Sequence, residues 1–348
     1  MIETSTIWNL QHVKLPENEL IKKLNELSHQ FTIQRSQMDL YTKDEKSVAA
    51  YCAFYLPTNM PKFNFLMEQL DLDQRMEMSK CHFIDFGAGP GTFSLSYLDY
   101  FAHRDDLQVT LIDSSSLMLR QARTLISTIF PSQKVSYLER IPREIKGKKT
   151  LFFGHSFNEI GYQKGIEIIN LIDPDYLILI EPGTKEVFSY INDLRIFMRN
   201  AGYSCLYPCL NLDSDCPMTL RLDDWCHGVM RMVHDQNLER LSQLIKKDRR
   251  NMPFISHVYQ KGGYQGGSTP QQARLVRFLN NSKFGFEYEV CMCTGSQLTI
   301  EKIQLLKKDM SKELIKKIEN ISIGSKLTFE VIKKFDDYTR VKLLLNPV

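Results

Sequence analysis

The segment Cys81-His82-Phe83-Ile84-Asp85-Phe86-Gly87-Ala88-Gly89-Pro90-Gly91-Thr92 constrains this chain more than any other. Phe83, Ile84 and Phe86 make a short apolar run suited to a strand, and the amphipathic stretch from Phe93 to Phe101 follows the glycines. Glycine at 87, 89 and 91 lets the backbone turn tightly and approach a ligand with no Cβ in the way. A helix opening there offers free N–H groups and the positive end of its dipole. The spacing is G-x-G-x-G, not the G-x-G-x-x-G of a dinucleotide fingerprint. Asp85, two residues ahead of the first glycine, is placed to accept from a ligand amine or a backbone donor. A second strand, 107–112, ends in Asp113-Ser114-Ser115, and a carboxylate there suits a ribose diol. The implied ligand is a nucleoside with a short charged tail, not a pyrophosphate.

At this point the residues resemble the class I S-adenosylmethionine (SAM) methyltransferases, whose first motif is similar to the run from Asp85 to Gly91. The resemblance implies SAM held by Asp85, Gly87, Ala88, Gly89, Gly91, Asp113 and Ser114. The periodicity agrees with such a fold. Strands are expected near 82–86, 107–112, 135–138, 150–153 and 176–180, with a helix at 186–200 stopped by Gly202. The expected class is α/β: a Rossmann-like, doubly wound sheet over residues 79–204, with its ligand at the carboxyl ends of the strands. Residues 1–78 read as a helical region with helices at 17–27, 48–55 and 61–72, punctuated by Pro57 and Pro61. Residues 205–298 read as a cysteine-rich insert with closing strands, and 299–348 as a basic α+β extension. In the tail, strands are expected around 286–293, 327–333 and 339–345, with a lysine-rich helix at 300–318 between them.

Hydrophobic residues make up 43% and charged residues 24% of the 348, which is ordinary for a soluble globular protein. No run of about 18 apolar residues is present, so no membrane span is expected. Residues 1–19 carry three glutamates and no arginine, unlike a secretory or transit leader. The expectation is a cytoplasmic protein, monomeric when free. Six of its eight cysteines lie after residue 204. A reducing compartment argues against disulfides and for metal binding or catalysis.

Three of those cysteines stand in Pro208-Cys209, Cys216-Pro217 and Trp225-Cys226-His227, inside a stretch with little periodicity. Core cysteines usually sit in apolar periodic segments, as Cys52 and Cys81 do. Thiolates on a loop suit Zn²⁺ or an iron–sulfur cluster, with Cys291, Cys293 or His227 as the fourth ligand. The wide spacing lacks the tight knuckles of zinc sites and leans towards a cluster, with zinc or no metal as alternatives. Gly154 to Ile160, Glu181-Pro182-Gly183-Thr184, the cysteine pairs and Cys293-Thr294-Gly295 follow one another in a familiar order. Over residues 48–298 this order resembles the methyltransferase-like assembly proteins of the small ribosomal subunit, known in mitochondria and bacteria. That resemblance implies a [4Fe–4S] cluster on Cys209, Cys216, Cys226 and Cys293, with Cys205 and Cys291 as packing residues. It also implies small-subunit rRNA, or a pre-ribosomal particle, as partner. The chain departs from the family pattern at Leu210-Asn211-Leu212 and Gly228.

No catalytic base stands out. The Asn/Asp-Pro-Pro-aromatic turn of amino-methylating enzymes is replaced by His155-Ser156-Phe157-Asn158-Glu159. His155, Asn158, Glu159 and Glu181 sit where an acceptor would arrive, and Pro208-Cys209 resembles the nucleophile pair of cytosine-C5 enzymes only superficially. Residues 237–283 hold nine Lys/Arg against two acidic residues, a balance suited to a phosphate backbone. Tyr259 and Tyr264, beside Arg249, Arg250 and Lys261 and near a loop of Gly262, Gly263, Gly266 and Gly267, are candidates for stacking on single-stranded RNA. Three readings follow: a SAM-binding methyltransferase-like protein on small-subunit rRNA, a non-catalytic rRNA-binding factor, or a zinc-containing methyltransferase of small molecules or proteins.

Overall fold

Strands that are apolar along their whole length can be satisfied only inside a sheet covered on both faces. Four largely apolar segments of this kind occur in the first two hundred residues, β1 (His82–Phe86), β2 (Gln108–Ile112), β4 (Lys149–Gly154) and β5 (Tyr176–Pro182), and a more exposed strand, β3 (Lys134–Leu138), joins them. They pair in parallel in the order β3-β2-β1-β4-β5, with β1 at the centre beside both β2 and β4. The computed structural model describes residues 2–32, 44–262 and 271–344. By contact density the chain divides into two units: residues 1–67, 71–181 and 232–250 form the first, and 68–70, 182–231 and 251–348 the second.

In the first unit, helices α1 (Thr4–Asn9), α2 (Glu17–Thr32), α3 (Glu45–Asn59), α4 (Pro61–Glu68) and α5 (Leu72–Ser79) precede the sheet. Pro61 starts α4 as expected, but Pro57 lies inside α3 rather than ending it. A proline there has no N–H for the carbonyl four residues back. The Trp8 indole N–H supplies the missing donor, 2.8 Å from the Ala53 carbonyl oxygen. Between strands run α6 (Thr92–Tyr100), α7 (Ser116–Ile129), α8 (Phe157–Ile160) and α9 (Tyr162–Ile172). After α10 (Lys185–Asn200), which belongs to the second unit, α11 (Gln236–Leu244) returns to the first. There Leu238, Leu241 and Ile245 join Leu24, Leu27 and Phe54 in one buried cluster.

In the second unit, β6 (Tyr203–Tyr207) and β7 (Gly228–Arg231) pair antiparallel with opposite ends of β8 (Asn251–Lys261). Next come β9 (Gln271–Asn281), β10 (Gly285–Thr294), β11 (Gln297–Leu306), α12 (Lys312–Glu319), β12 (Lys326–Lys334) and β13 (Thr339–Leu343). These five strands close a barrel in the order β9-β10-β11-β13-β12. Alternate residues point inward, so Ala273, Leu275, Phe286, Tyr288, Ile303, Leu305, Phe329 and Val341 share one core. The single helix expected at 300–318 is therefore a strand and a shorter helix. Ile303 and Leu305 alternate into the barrel, and the 294–297 turn pairs Thr294 with Gln297 so that β11 folds back on β10. The expected boundary at 298/299 falls within β11, and the closing strands and the extension form one barrel. Among the described residues no helix is long and apolar enough to cross a membrane.

Candidate functional site

The glycine turn after β1 is built from backbone geometry. Gly87, Gly89 and Gly91 have φ of 70°, 55° and 83°, the left-handed region that side chains disfavour. A Cβ on Gly87 would overlap the Cβ of Ser156, whereas one on Gly89 would meet nothing within 4 Å. The N–H groups of Gly87 and Ala88 donate to the Ile112 carbonyl at 2.8 and 3.2 Å, tying the turn to the end of β2. Asp113 completes the cradle: one carboxylate oxygen accepts from Gly89 N–H and the other from Ser115 N–H, both at 2.8 Å. Each oxygen keeps a second lone pair for a hydroxyl. Ala88 is buried and Ser114 is exposed beside the turn. Asp85 is 1% exposed. Its Oδ2 accepts from the Ser94 hydroxyl at 2.7 Å, and among the described residues no donor stands in hydrogen-bonding geometry to Oδ1. Burial pushes its carboxyl up to about 7.

Beyond β4, His155 takes φ of 63°, a strained value for a residue with a side chain. Its ring stacks on Phe93, and its Nε2 lies 3.1 Å from the Lys62 ammonium nitrogen. Burial, followed by the charges of Lys62 and Arg249, holds His155 well below its usual range. Burial and Arg249 likewise depress Lys62, which is 2% exposed. Arg249 turns inward, its guanidinium 5.4 Å from the Tyr55 ring and 3.5 Å from the Asn59 side-chain oxygen. Glu181 is fully buried and accepts from the Phe157 N–H at 2.9 Å, so it anchors the β4 turn instead of merely preceding Pro182. Burial raises its carboxyl well above the ordinary value. The sequence reading missed Lys62, because a lysine on an amphipathic helix ordinarily faces water.

The stacking element expected around residues 249–264 does not form on the described residues. Tyr259 is 0% exposed and its hydroxyl bonds His257 at 2.7 Å, Arg249 faces inward, and Arg250 pairs with Asp248. Tyr264 and Gly263, Gly266 and Gly267 lie outside the described residues.

In the second unit, Cys209, Cys216, Cys226 and Cys291 line one largely apolar pocket, with His227, His257 and Arg274 on its walls. Cys293 lies two residues farther along the outward face of β10 and is absent from that lining. The family resemblance implies a packing role for Cys291. Alternation puts its neighbours Val290 and Met292 inside the barrel and turns Cys291 out towards the pocket. Arg195, 2% exposed, holds the loop: it donates to the carbonyls of Asn211 and Ser214, and its Nε lies 3.4 Å from Cys209 Sγ. A hydrogen bond from Cys205, with the Arg195 charge, draws the Cys209 thiol down to about 6 against the effect of burial. Burial raises Cys216 to about 11 and also raises Cys226 and Cys291. Among the described residues no three His, Cys, Asp or Glu side chains stand in metal-holding geometry. Trp225 donates to the Gly183 carbonyl at 3.1 Å and stacks on His227.

The parallel sheet, the positive-φ glycine turn and the acidic ends of β1 and β2 define a methyltransferase-like Rossmann fold. The sequence family described as mitochondrial small ribosomal subunit Rsm22 matches residues 45–308, and the chain belongs to that family. No curated protein matches it in sequence. Among solved structures it is similar to a magnesium protoporphyrin IX methyltransferase from Synechocystis with bound SAM. That likeness has 11% identity over 72% of this chain and 100% of the other, with a TM-score of 0.37. It is also similar to TrmK of M. capricolum in complex with S-adenosyl-homocysteine, at 11% identity over 57% and 73% of the two chains and a TM-score of 0.31.

Proposed function

We propose that this protein binds SAM in the glycine cradle and acts, as a methyltransferase-like factor, on the rRNA of the small ribosomal subunit. The observation that carries the reading is Asp113 clamping Gly89 and Ser115, with buried Asp85 beneath the same turn. Asp85, Gly87, Ala88, Gly89, Gly91, Asp113 and Ser114 would hold the cofactor, whose sulfonium supplies an activated methyl group. The family match supports the ribosomal partner. The test is methyl transfer from labelled SAM to small-subunit rRNA, alongside equilibrium dialysis of SAM. Transfer by wild type that is lost in Asp85→Ala supports the proposal; absence of SAM binding by wild type overturns it.

A second reading, a non-catalytic rRNA-binding factor, draws on the turn after β4. Its His155 is held between Phe93 and Lys62, and no acceptor-binding motif stands there. SAM and rRNA binding without methyl transfer selects that reading. Tight SAM binding with no RNA affinity at any salt selects a small-molecule or protein methyltransferase.

The proposal includes a [4Fe–4S] cluster on Cys209, Cys216, Cys226 and a thiolate of β10. The family pattern favours Cys293 as the fourth ligand, and the pocket lining favours Cys291. Four thiols on one loop and the adjoining strand are the donor set such a group takes, although the described side chains do not stand in metal-holding geometry. Bound there, it would cross-link the 209–226 segment to β10. Anaerobic purification with about four iron and four sulfide per chain supports it. Loss of iron in Cys291→Ser but not Cys293→Ser, or the reverse, identifies the fourth ligand. One zinc per chain replaces the cluster with a zinc site.

A further inference from the structure

The barrel has a recognisable connectivity. Its first three strands, β9, β10 and β11, form an antiparallel meander, and α12 lies between the third and fourth strands. The fifth strand, β13, pairs in parallel with the third, and the fourth, β12, closes antiparallel on the first. That is the five-stranded Greek-key barrel of the OB-fold, whose second and third strands and flanking loops bind oligonucleotides or oligosaccharides. Connectivity alone names no ligand, so the surface residues must decide.

Part of the usual binding face is already occupied by the protein itself. Arg221 pairs with Glu289 at 2.9 Å, Asn211 donates to the Ser296 carbonyl at 2.7 Å, and Leu298 N–H donates to Ser214 Oγ at 2.8 Å. The cysteine loop thus covers the end of β10 and β11 near residues 289–298. Away from that cover the outer face carries other groups. There a polar ladder crosses three strands, from Arg340 to Gln304 to Glu287. Beside it, in the β12–β13 loop, Phe335 and Tyr338 stack with ring centroids 4.5 Å apart, flanked by Lys333 and Arg340. In the β9–β10 loop, Phe284 is 68% exposed with the Lys283 ammonium 4.8 Å from its ring centroid. Residues 271–344 hold fourteen Lys/Arg and nine Asp/Glu, so the barrel has a surplus of five positive charges in a chain whose net charge is +3.

We propose that the outer face running along this ladder, from the β9–β10 loop at one end of the barrel to the β12–β13 loop at the other, is a binding platform for single-stranded RNA. Phe284 and the Phe335–Tyr338 pair stack on bases, while Lys283, Lys333 and Arg340 meet the phosphates. Aromatic rings beside cations suit a ligand that alternates flat bases with negative charge, and the cations have no partner on a neutral oligosaccharide. The choice of RNA over DNA rests on the ribosomal reading above; the location of the platform does not.

The experiment is fluorescence anisotropy of a labelled oligouridylate with the full chain at about 50 mM salt. Wild type binds, Phe284→Ala weakens binding about tenfold, and Phe284→Tyr, which keeps the ring, restores it. Lys283→Ala lowers affinity modestly and reduces the salt slope by about one. Phe284 is mostly exposed, so its variants fold, which matching thermal melts confirm. Wild-type affinity in Phe284→Ala, equal binding of duplex RNA, or no binding by wild type each overturns the platform. Co-sedimentation with small-subunit rRNA separates the two proposals. If the intact protein co-sediments while Phe284→Ala binds the oligonucleotide normally, the platform fails and the ribosomal reading stands.

Discussion

The glycine turn after β1 and the cysteine loop after β6 are both candidate ligand-holding segments, but different forces hold them. The glycine turn spans a short stretch of chain, and its restraints are backbone N–H groups reaching Ile112 and Asp113. The cysteine loop has almost no regular structure between β6 and β7. It is held by side-chain cations: Arg195 reads the carbonyls of Asn211 and Ser214, and Arg221 pairs with Glu289. The first device depends on dihedral angles, so it tolerates ionic conditions and fails on the addition of a Cβ. The second depends on a few charged groups, so one substitution can release the whole segment.

The largest expected effect is at Arg195. Arg195→Met removes a buried cation that satisfies two carbonyls and faces Cys209, and should destabilise the second unit by about 4 kcal/mol. Thermal denaturation reads the loss, and limited proteolysis should then cut within 209–227. A loop as protected as in wild type would show that Arg195 does not hold it.

Asp85 gives an effect of similar size, about 4 kcal/mol across a pH range. Its carboxyl is raised to about 7 by burial, against 3.8 in an unfolded chain. Between roughly pH 4 and 7 the folded form keeps a proton that the unfolded form has lost. Stability of the ligand-free protein therefore falls as pH rises through that window and levels off above it. Asp85→Asn should flatten this fall, as seen in urea midpoints at pH 5 and pH 8.

Smallest, and sharpest for the comparison, is a pair of glycine variants. Gly87→Ala should cost about 2 kcal/mol, combining a positive φ with overlap on Ser156, whereas Gly89→Ala, at positive φ but in open space, should cost about 1. Equal costs in urea titrations would mean that Ser156 yields to the added methyl.

The parallel sheet was legible because β1, β2, β4 and β5 are short apolar runs whose partners are near in sequence. The glycine turn was legible for the same reason, since its contacts close within about thirty residues. The barrel was not. Lys302, with Lys307 and Lys308 just beyond its end, gave β11 the appearance of a solvated helix, and only its pairing with β10 and β13 makes it a strand. Pro57 read as a stop signal because its remedy, Trp8, lies far off in the sequence. Arg249 read as part of a phosphate-facing basic stretch and Lys62 drew no reading, although both are drawn into the interior of the first unit. The fourth thiol of the cysteine pocket depended on which outward residue of β10 comes to lie beside a loop some seventy residues earlier.

The two tryptophans have a practical consequence. Trp8 in the first unit donates to Ala53, and Trp225 in the second donates to Gly183 beside the cysteine pocket. The chain has no others. Each unit thus carries its own intrinsic fluorophore. A Trp225→Phe protein reports optically on the helical layer alone, and a Trp8→Phe protein on the cysteine loop alone. Emission from the two can show whether the halves of this chain melt together or one after the other.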